Sequence, residues 1–161
     1  MATVYEWTKT NWFKVSDEGK FRDILSKLTV FSEIDNRLFH SYKKCDDGLY
    51  MHHLMAYGMI VGEYDKDTGD YGDPEEYLFK PIKELLPTED DVFVLKYITA
   101  EKLKYVEAGY TIITKEDILH RSLDWNIDYD VEELTGRADL SPEFDSKEDS
   151  TFETIEPKRD W

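Results

Sequence analysis

From residue 4 to residue 15 the chain reads VYEWTKTNWFKV, rich in aromatic and β-branched side chains, and this predicts a first strand. Ser16 followed by Asp17 and Glu18 has the form of an N-cap with acidic first-turn residues. Phe21, Ile24, Leu25 and Leu28 then fall at i, i+3, i+4 and i+7, the stripe of a short amphipathic helix. Thr29–Phe39 and Leu49–Tyr64 read as two further strands joined through the turn-like KKCDDG at 43–48, and the second is punctuated by Gly58 and Gly62.

Asp73, Pro74, Glu75 and Glu76 mark a second helix start, with Pro suited to the first helical position and a carboxylate near the first free amides. Leu78, Phe79, Ile82, Leu85 and Leu86 follow at helical spacing. Pro81 interrupts them and should kink or restart the helix, and Pro87 closes it. VFVLKYI at 92–98 and LKYVEAGYTIIT at 103–114 read as a strand hairpin. ILHRSL beyond it fits either a capped helix, since Thr114 and Asp117 have capping-box spacing, or a short edge strand after a KED turn. A last short helix is expected near Asp130–Leu134, ended by Gly136. Strand, helix, strand, strand, helix, strand is the ferredoxin-like order, so the expected fold is α+β, an antiparallel sheet with two helices on one face.

A length of 161 residues suits one domain. Leu, Ile, Val and Phe make up 40 of them, enough for a packed core. The expected division is a single domain over 1–140 and an acidic, loosely ordered tail over 141–161. That tail, SPEFDSKEDSTFETIEPKRDW, has neither helical nor strand period, yet keeps Phe144, Phe152, Ile155 and Trp161, which suit docking on the domain or ordering on a partner. The chain carries 36 acidic against 20 basic side chains, a net charge of −16, and residues 124–161 alone hold 13 acidic and 4 basic. Such a charge argues against direct binding to nucleic acid or to an anionic membrane without a local basic patch, and no basic run occurs in the sequence. No apolar run reaches the roughly 18 residues of a membrane span, and the N-terminus lacks the pattern of a signal peptide. With Cys45 as the only cysteine there is no disulfide framework, and a cytoplasmic location is expected.

The search for catalytic chemistry returns little. There is no Gly-rich phosphate loop, no GxSxG elbow and no HExxH, so no catalytic residue, no cofactor and no metal are expected. His52 and His53 are adjacent on a strand and point to opposite faces, which prevents joint chelation. His40 and His120 stand isolated in the sequence. The segment Asp65–Glu76, DKDTGDYGDPEE, places acids at positions 1, 3, 9 and 12 of a calcium-type loop. Its sixth position is Asp70 rather than Gly, and its fifth is Gly69, which lacks a side-chain ligand.

What remains is the charge pattern. Asp65, Asp67, Asp70, Asp73, Glu75 and Glu76 put six acids in twelve residues. Asp124, Asp128, Asp130, Glu132 and Glu133 form a second cluster with no basic residue among them. Rows of carboxylates of this kind can occupy a basic groove in place of phosphates, and both clusters are therefore candidate partner-binding sites. A solvated surface that only keeps the protein soluble is the competing reading.

TKTNWFKVSDEGKFRDIL near the start and EKLKYVEAGYTIIT late in the chain resemble a group of small acidic proteins encoded on phages and conjugative elements of Gram-positive gut bacteria. In those, an N-[YW]-F-[RK]-V strand runs into a helix that begins with acids, and a KxxYVxGxxxIIT-like strand comes late. The likeness covers about 32 residues in two blocks; Trp12 stands where Tyr is usual, and Glu107 and Ala108 precede Gly109. It implies a mobile-element origin, and with it an inhibitor of a host defence nuclease, including the anti-CRISPR and antirestriction types. The expected function is a non-enzymatic acidic inhibitor whose partner is a basic nucleic-acid-binding nuclease such as Cas9, blocked at its DNA groove. The alternative is an accessory protein of a mobile element that binds another protein and whose acidity only solubilises it.

Overall fold

The expected first strand is one path broken once, at Asn11 and Trp12. In the computed structural model, which describes residues 4–101, 105–122 and 134–136, β1 (Val4–Thr10) and β2 (Phe13–Lys14) both pair antiparallel with β5 (Tyr50–Ala56). The Asn11 side chain fills the gap in the ladder: its Nδ2 donates to Val92 O at 2.9 Å and its Oδ1 accepts from Val94 N at 2.8 Å. The amide thereby replaces backbone bonds that the break would leave unmade.

Helix α1 spans Glu18–Ser26. Its N-cap is Asp17, one residue later than the expected Ser16, because the Asp17 carboxylate reaches the Lys20 amide at 3.0 Å. Phe21 and Ile24 are buried on its inner face, while Leu25 and Leu28 pack at the margin of the core. Phe13 meets the edges of Phe21 and Phe93 at centroid distances of 5.6 and 4.8 Å, a three-ring centre between sheet and helix.

The strand expected over Thr29–Phe39 is two strands, β3 (Thr29–Phe31) and β4 (Leu38–Lys44). Ser32 breaks it. Its hydroxyl accepts from the Ile34 and Asp35 amides at 3.0 and 3.1 Å and donates to Tyr57 O, a local turn that competes with extended pairing. Leu49–Tyr64 likewise divides into β5 and β6 (Met59–Val61) at Tyr57 and Gly58. β3 and β6 form a separate two-stranded sheet, tied to the main one by the buried Thr8 hydroxyl donating to Gly58 O at 2.6 Å.

The second helix begins as expected at Asp73, whose Oδ1 accepts from Glu75 N at 2.9 Å. It opens with a π-helical turn, Glu75–Phe79, and continues as α2 (Lys80–Leu85). Lys80 N donates to Glu75 O, one residue further back than in an α-helix. This wider turn accommodates Pro81, which has no amide to donate and whose ring would clash with an α-helical carbonyl.

β7 (Phe93–Glu101) and β8 (Tyr105–Ile113) form the expected hairpin in continuous register, from Phe93 opposite Ile113 to Glu101 opposite Tyr105. The ambiguous segment after it is the edge strand β9 (Ile118–Ser122), reached through a turn in which Thr114 Oγ1 accepts from Asp117 N. Leu134 and Thr135 are helical and Gly136 takes φ +67°, consistent with the expected helix stop; the rest of that helix, the 123–133 segment and the tail from 141 lie outside the described residues.

The described residues thus form an α+β fold, with α1, the π-helical turn continuing into α2, and a seven-stranded sheet in which β4, β5, the β1–β2 path, β7, β8 and β9 lie side by side. The sheet is larger than the expected ferredoxin-like one, and that order is not confirmed: seven strands pair in it, and α1 leads from β2 into β3, which belongs to the separate two-stranded sheet. Both helices lie on one side, where Leu54, Leu78, Ile82, Leu86 and Ile113 are buried to within 1 % of full burial. No helix among the described residues is long and apolar enough to cross a membrane.

Candidate functional site

The first acidic cluster sits on a loop with a ladder of its own. Gly62 N donates to Gly72 O and Gly72 N to Glu63 O, both at 2.8 Å, and Tyr64 bridges to Tyr71. Asp65 N donates to Asp70 O and Gly69 N to Asp65 O, so the tip closes as a tight turn with Gly69 at φ +76°. The Tyr77 ring packs against the stem, so close to Gly62 and Gly72 that neither position has room for a Cβ.

The six acids of this cluster do not act alike. Asp65, Asp67 and Asp70 are exposed at the tip, although one Asp65 oxygen accepts from the Asp67 amide at 2.8 Å. Asp73 is exposed at the helix start. Glu75 is directed to His120, with Oε2 at 3.0 Å from Nε2, and Glu76 is paired with Lys80. The cluster read from sequence as one row is therefore four carboxylates open to a partner and two engaged within the fold. Beside the tip stands an apolar platform that the sequence did not mark. Tyr71 lies 5.0 Å from Tyr64 and 5.4 Å from Phe31, and Phe31 and Ile34 are 51 % and 54 % exposed. Phe31 arrives from β3 through its pairing with Met59, and no local pattern links residue 31 to residues 64 and 71. The second cluster, Asp124, Asp128, Asp130, Glu132 and Glu133, lies outside the described residues.

The histidines that looked isolated are joined by the fold. His52, 4 % exposed, receives both Glu18 oxygens at its Nε2, at 3.0 and 2.9 Å, and faces His40 Nε2 through its Nδ1 at 2.9 Å. With the carboxylate accepting from Nε2–H, Nδ1 is the acceptor and His40 the donor. This relay lines a cavity of about 430 Å³ together with Phe21, Arg22, Tyr42 and Tyr50. Burial holds the His40 imidazole below its ordinary value, and neighbouring His52 adds to the effect. His53 points to the other side of the sheet, 5.3 Å from Trp12, and burial, then Lys9, lowers its pKa too. On the far side of the molecule Thr111 Oγ1 lies 2.8 Å from His120 Nδ1, completing a hydroxyl, imidazole and carboxylate series with Glu75 beside a second cavity of about 330 Å³.

That series has the order of a nucleophile, base and orienting acid. Its hydroxyl, however, is 4 % exposed in the middle of β8, paired on both sides, while the imidazole stands half in solvent. The arrangement fastens edge strand β9 to the π-helical turn, as the Glu18 relay fastens α1 to β5 and β4. Cys45 occupies the β4–β5 turn, its amide donating to Leu49 O at 2.8 Å. No protein-family model, no curated protein and no solved structure matches the chain.

Proposed function

We propose that the protein is a non-enzymatic inhibitor that sets its acidic loop into the basic nucleic-acid groove of a host defence nuclease and so blocks access of DNA. The observation that carries this reading is the pre-formed tip: Asp65, Asp67 and Asp70 exposed on a loop held by its own backbone ladder, beside the platform of Phe31, Tyr64 and Tyr71. A rigid loop loses little conformational freedom on docking, its charges steer it toward Lys and Arg, and aromatic side chains are the usual anchors of an interface. The resemblance of the two sequence blocks to proteins of phages and conjugative elements points to a nuclease of host defence, with Cas9 as the first candidate, since its DNA channel is positively charged. The same exposed aromatics support a second reading, an accessory protein that binds another protein through the platform alone.

Changing Asp65, Asp67, Asp70 and Asp73 together to Asn separates the two. Asn keeps the side-chain oxygen that caps the Asp67 and Glu75 amides, so stability should hardly move. Competition with DNA for the nuclease should weaken at least about tenfold, or about 1.4 kcal/mol, and the wild-type inhibition should fall steeply with added salt. A variant that inhibits like the wild type would leave the platform as the binding element and end the mimicry reading.

A further inference from the structure

The face of the sheet opposite the helices is basic, in a chain whose net charge is −16. Alternation along the strands and the cross-strand register assign the outward positions. On β1 these are Tyr5, Trp7 and Lys9, since Thr8 and Thr10 are buried. Lys96 lies opposite Lys9 and Tyr110 opposite Lys96; Arg121 follows opposite Tyr110, and Lys14 and Lys43 each face Met51. Five cations therefore project from this face, one of them, Lys14, paired with Asp47 of the β4–β5 turn at 2.7 Å, and among the described strands no Asp or Glu occupies an outward position. The cations surround aromatic rings. Lys9 and Lys96 lie 6.0 and 5.5 Å from the Trp7 ring and Lys43 lies 4.4 Å from the ring of Trp12, itself 38 % exposed. A second observation points to an anionic ligand: Lys9 and Lys96 are direct cross-strand neighbours, an arrangement of like charges that weakens a sheet unless an anion lies over it. The sequence shows no basic run because these residues occupy alternate positions of separate strands.

We propose that this face binds single-stranded nucleic acid, the phosphates meeting Lys9, Lys43 and Lys96 and unpaired bases stacking on Trp12 and the exposed ring of Tyr5. Cations interleaved with aromatic rings over a sheet recognise an unpaired strand, because only there are base faces free to stack. Six strands side by side span about 24 Å, room for several nucleotides. The acids of the Asp65–Glu76 loop belong to the helix side, where Glu75 meets His120, so this face stands independently of the inhibitor reading.

The test is fluorescence anisotropy with labelled oligodeoxythymidine and oligouridine of about 12 nucleotides, titrated with the full chain at physiological salt. Lys9→Glu/Lys96→Glu is compared with Lys20→Glu/Lys66→Glu, which changes net charge equally at exposed sites off the face. The expected result is saturable wild-type binding, a loss of about tenfold or more in the face variant with a salt slope flatter by about 1.4, and little change in the control. Trp12→Leu should weaken binding about fivefold or more. Absence of saturable binding by about 100 µM protein, or equal losses in both charge variants, overturns the proposal. Competition by polyglutamate as effective as that by unlabelled oligonucleotide also overturns it, and would make the face a site for acidic peptide, the chain's own acidic residues 124–161 included.

Discussion

Replacing Gly72 by alanine tests how the acidic loop is held. A Cβ at this position would lie 2.7 Å from Cδ2 and 2.9 Å from Cζ of Tyr77, with Cε2 nearer still, and these ring atoms are its three nearest neighbours. The backbone there is outside the left-handed region, so the penalty is steric alone. Forcing a methyl against a packed ring costs about 1–3 kcal/mol. With a urea m-value of about 2 kcal/mol/M, the unfolding midpoint should fall by about 0.5–1.5 M. In a Tyr77→Ala background the obstruction is gone, and what remains of the substitution is the loss of glycine's freedom in the unfolded chain, which stabilises by about 0.4–1 kcal/mol. Gly72→Ala should therefore change sign between the two backgrounds. Urea titration of the four proteins yields the coupling energy directly, and equal losses with and without the ring would refute the claim that Tyr77 packing is what requires glycine.

Two further outcomes follow from the helix and from the histidine relay. Phe21→Ala should cost about 3–5 kcal/mol, since its ring is fully buried against Phe13 and His52, while Leu25→Ala, at the core margin, should cost clearly less; equal urea midpoints for the two would misplace the buried face. His40 and His53 have pKa values below the ordinary 6.5 in the fold, so below that value the unfolded chain binds more protons; their contribution is complete above about pH 6.5 and is lost as pH falls through the lower folded values. Midpoints measured downward from about pH 7.5 should decline, and less steeply in His40→Gln, which keeps a donor toward His52 but cannot become charged; parallel curves would refute the assignment.

Local patterns marked where most elements lie, and the breaks depended on contacts too distant to read. Phe21 and Ile24 at helical spacing, Asp73–Pro74 at a helix start and the pairing of β7 with β8 were legible because each rests on neighbours in sequence. The interruption at Asn11 was not, because its side chain bonds to residues 92 and 94. Nor were the breaks after Phe31 and Ala56, which depend on Ser32 reaching Tyr57 O. The size of the sheet escaped for the same reason: β1 and β5 both read as strands, but nothing local fixes their antiparallel pairing. At the candidate site the acids were legible as a run, whereas the platform of Phe31, Tyr64 and Tyr71 and the relay of Glu18, His52 and His40 join residues 34 or more positions apart at their widest.

Composition says least where charge is unevenly placed. A net of −16 describes how the molecule looks from afar, and an average over the chain cannot distinguish mixed charges from two faces of opposite sign. Distance decides which description applies. At physiological ionic strength the Debye length is about 8 Å, less than the roughly 10 Å separating packed layers, so a ligand on the open sheet meets Lys9, Lys43 and Lys96 with the acids of the helix side largely screened. At about 0.01 M salt the screening length grows to about 30 Å, and the whole negative molecule repels the same ligand. The same dilution strengthens the pull between the acidic loop and a basic groove. Low salt therefore favours contacts through Asp65, Asp67 and Asp70 and opposes anions at the sheet, and comparing both faces at two salt concentrations separates their contributions without any mutation.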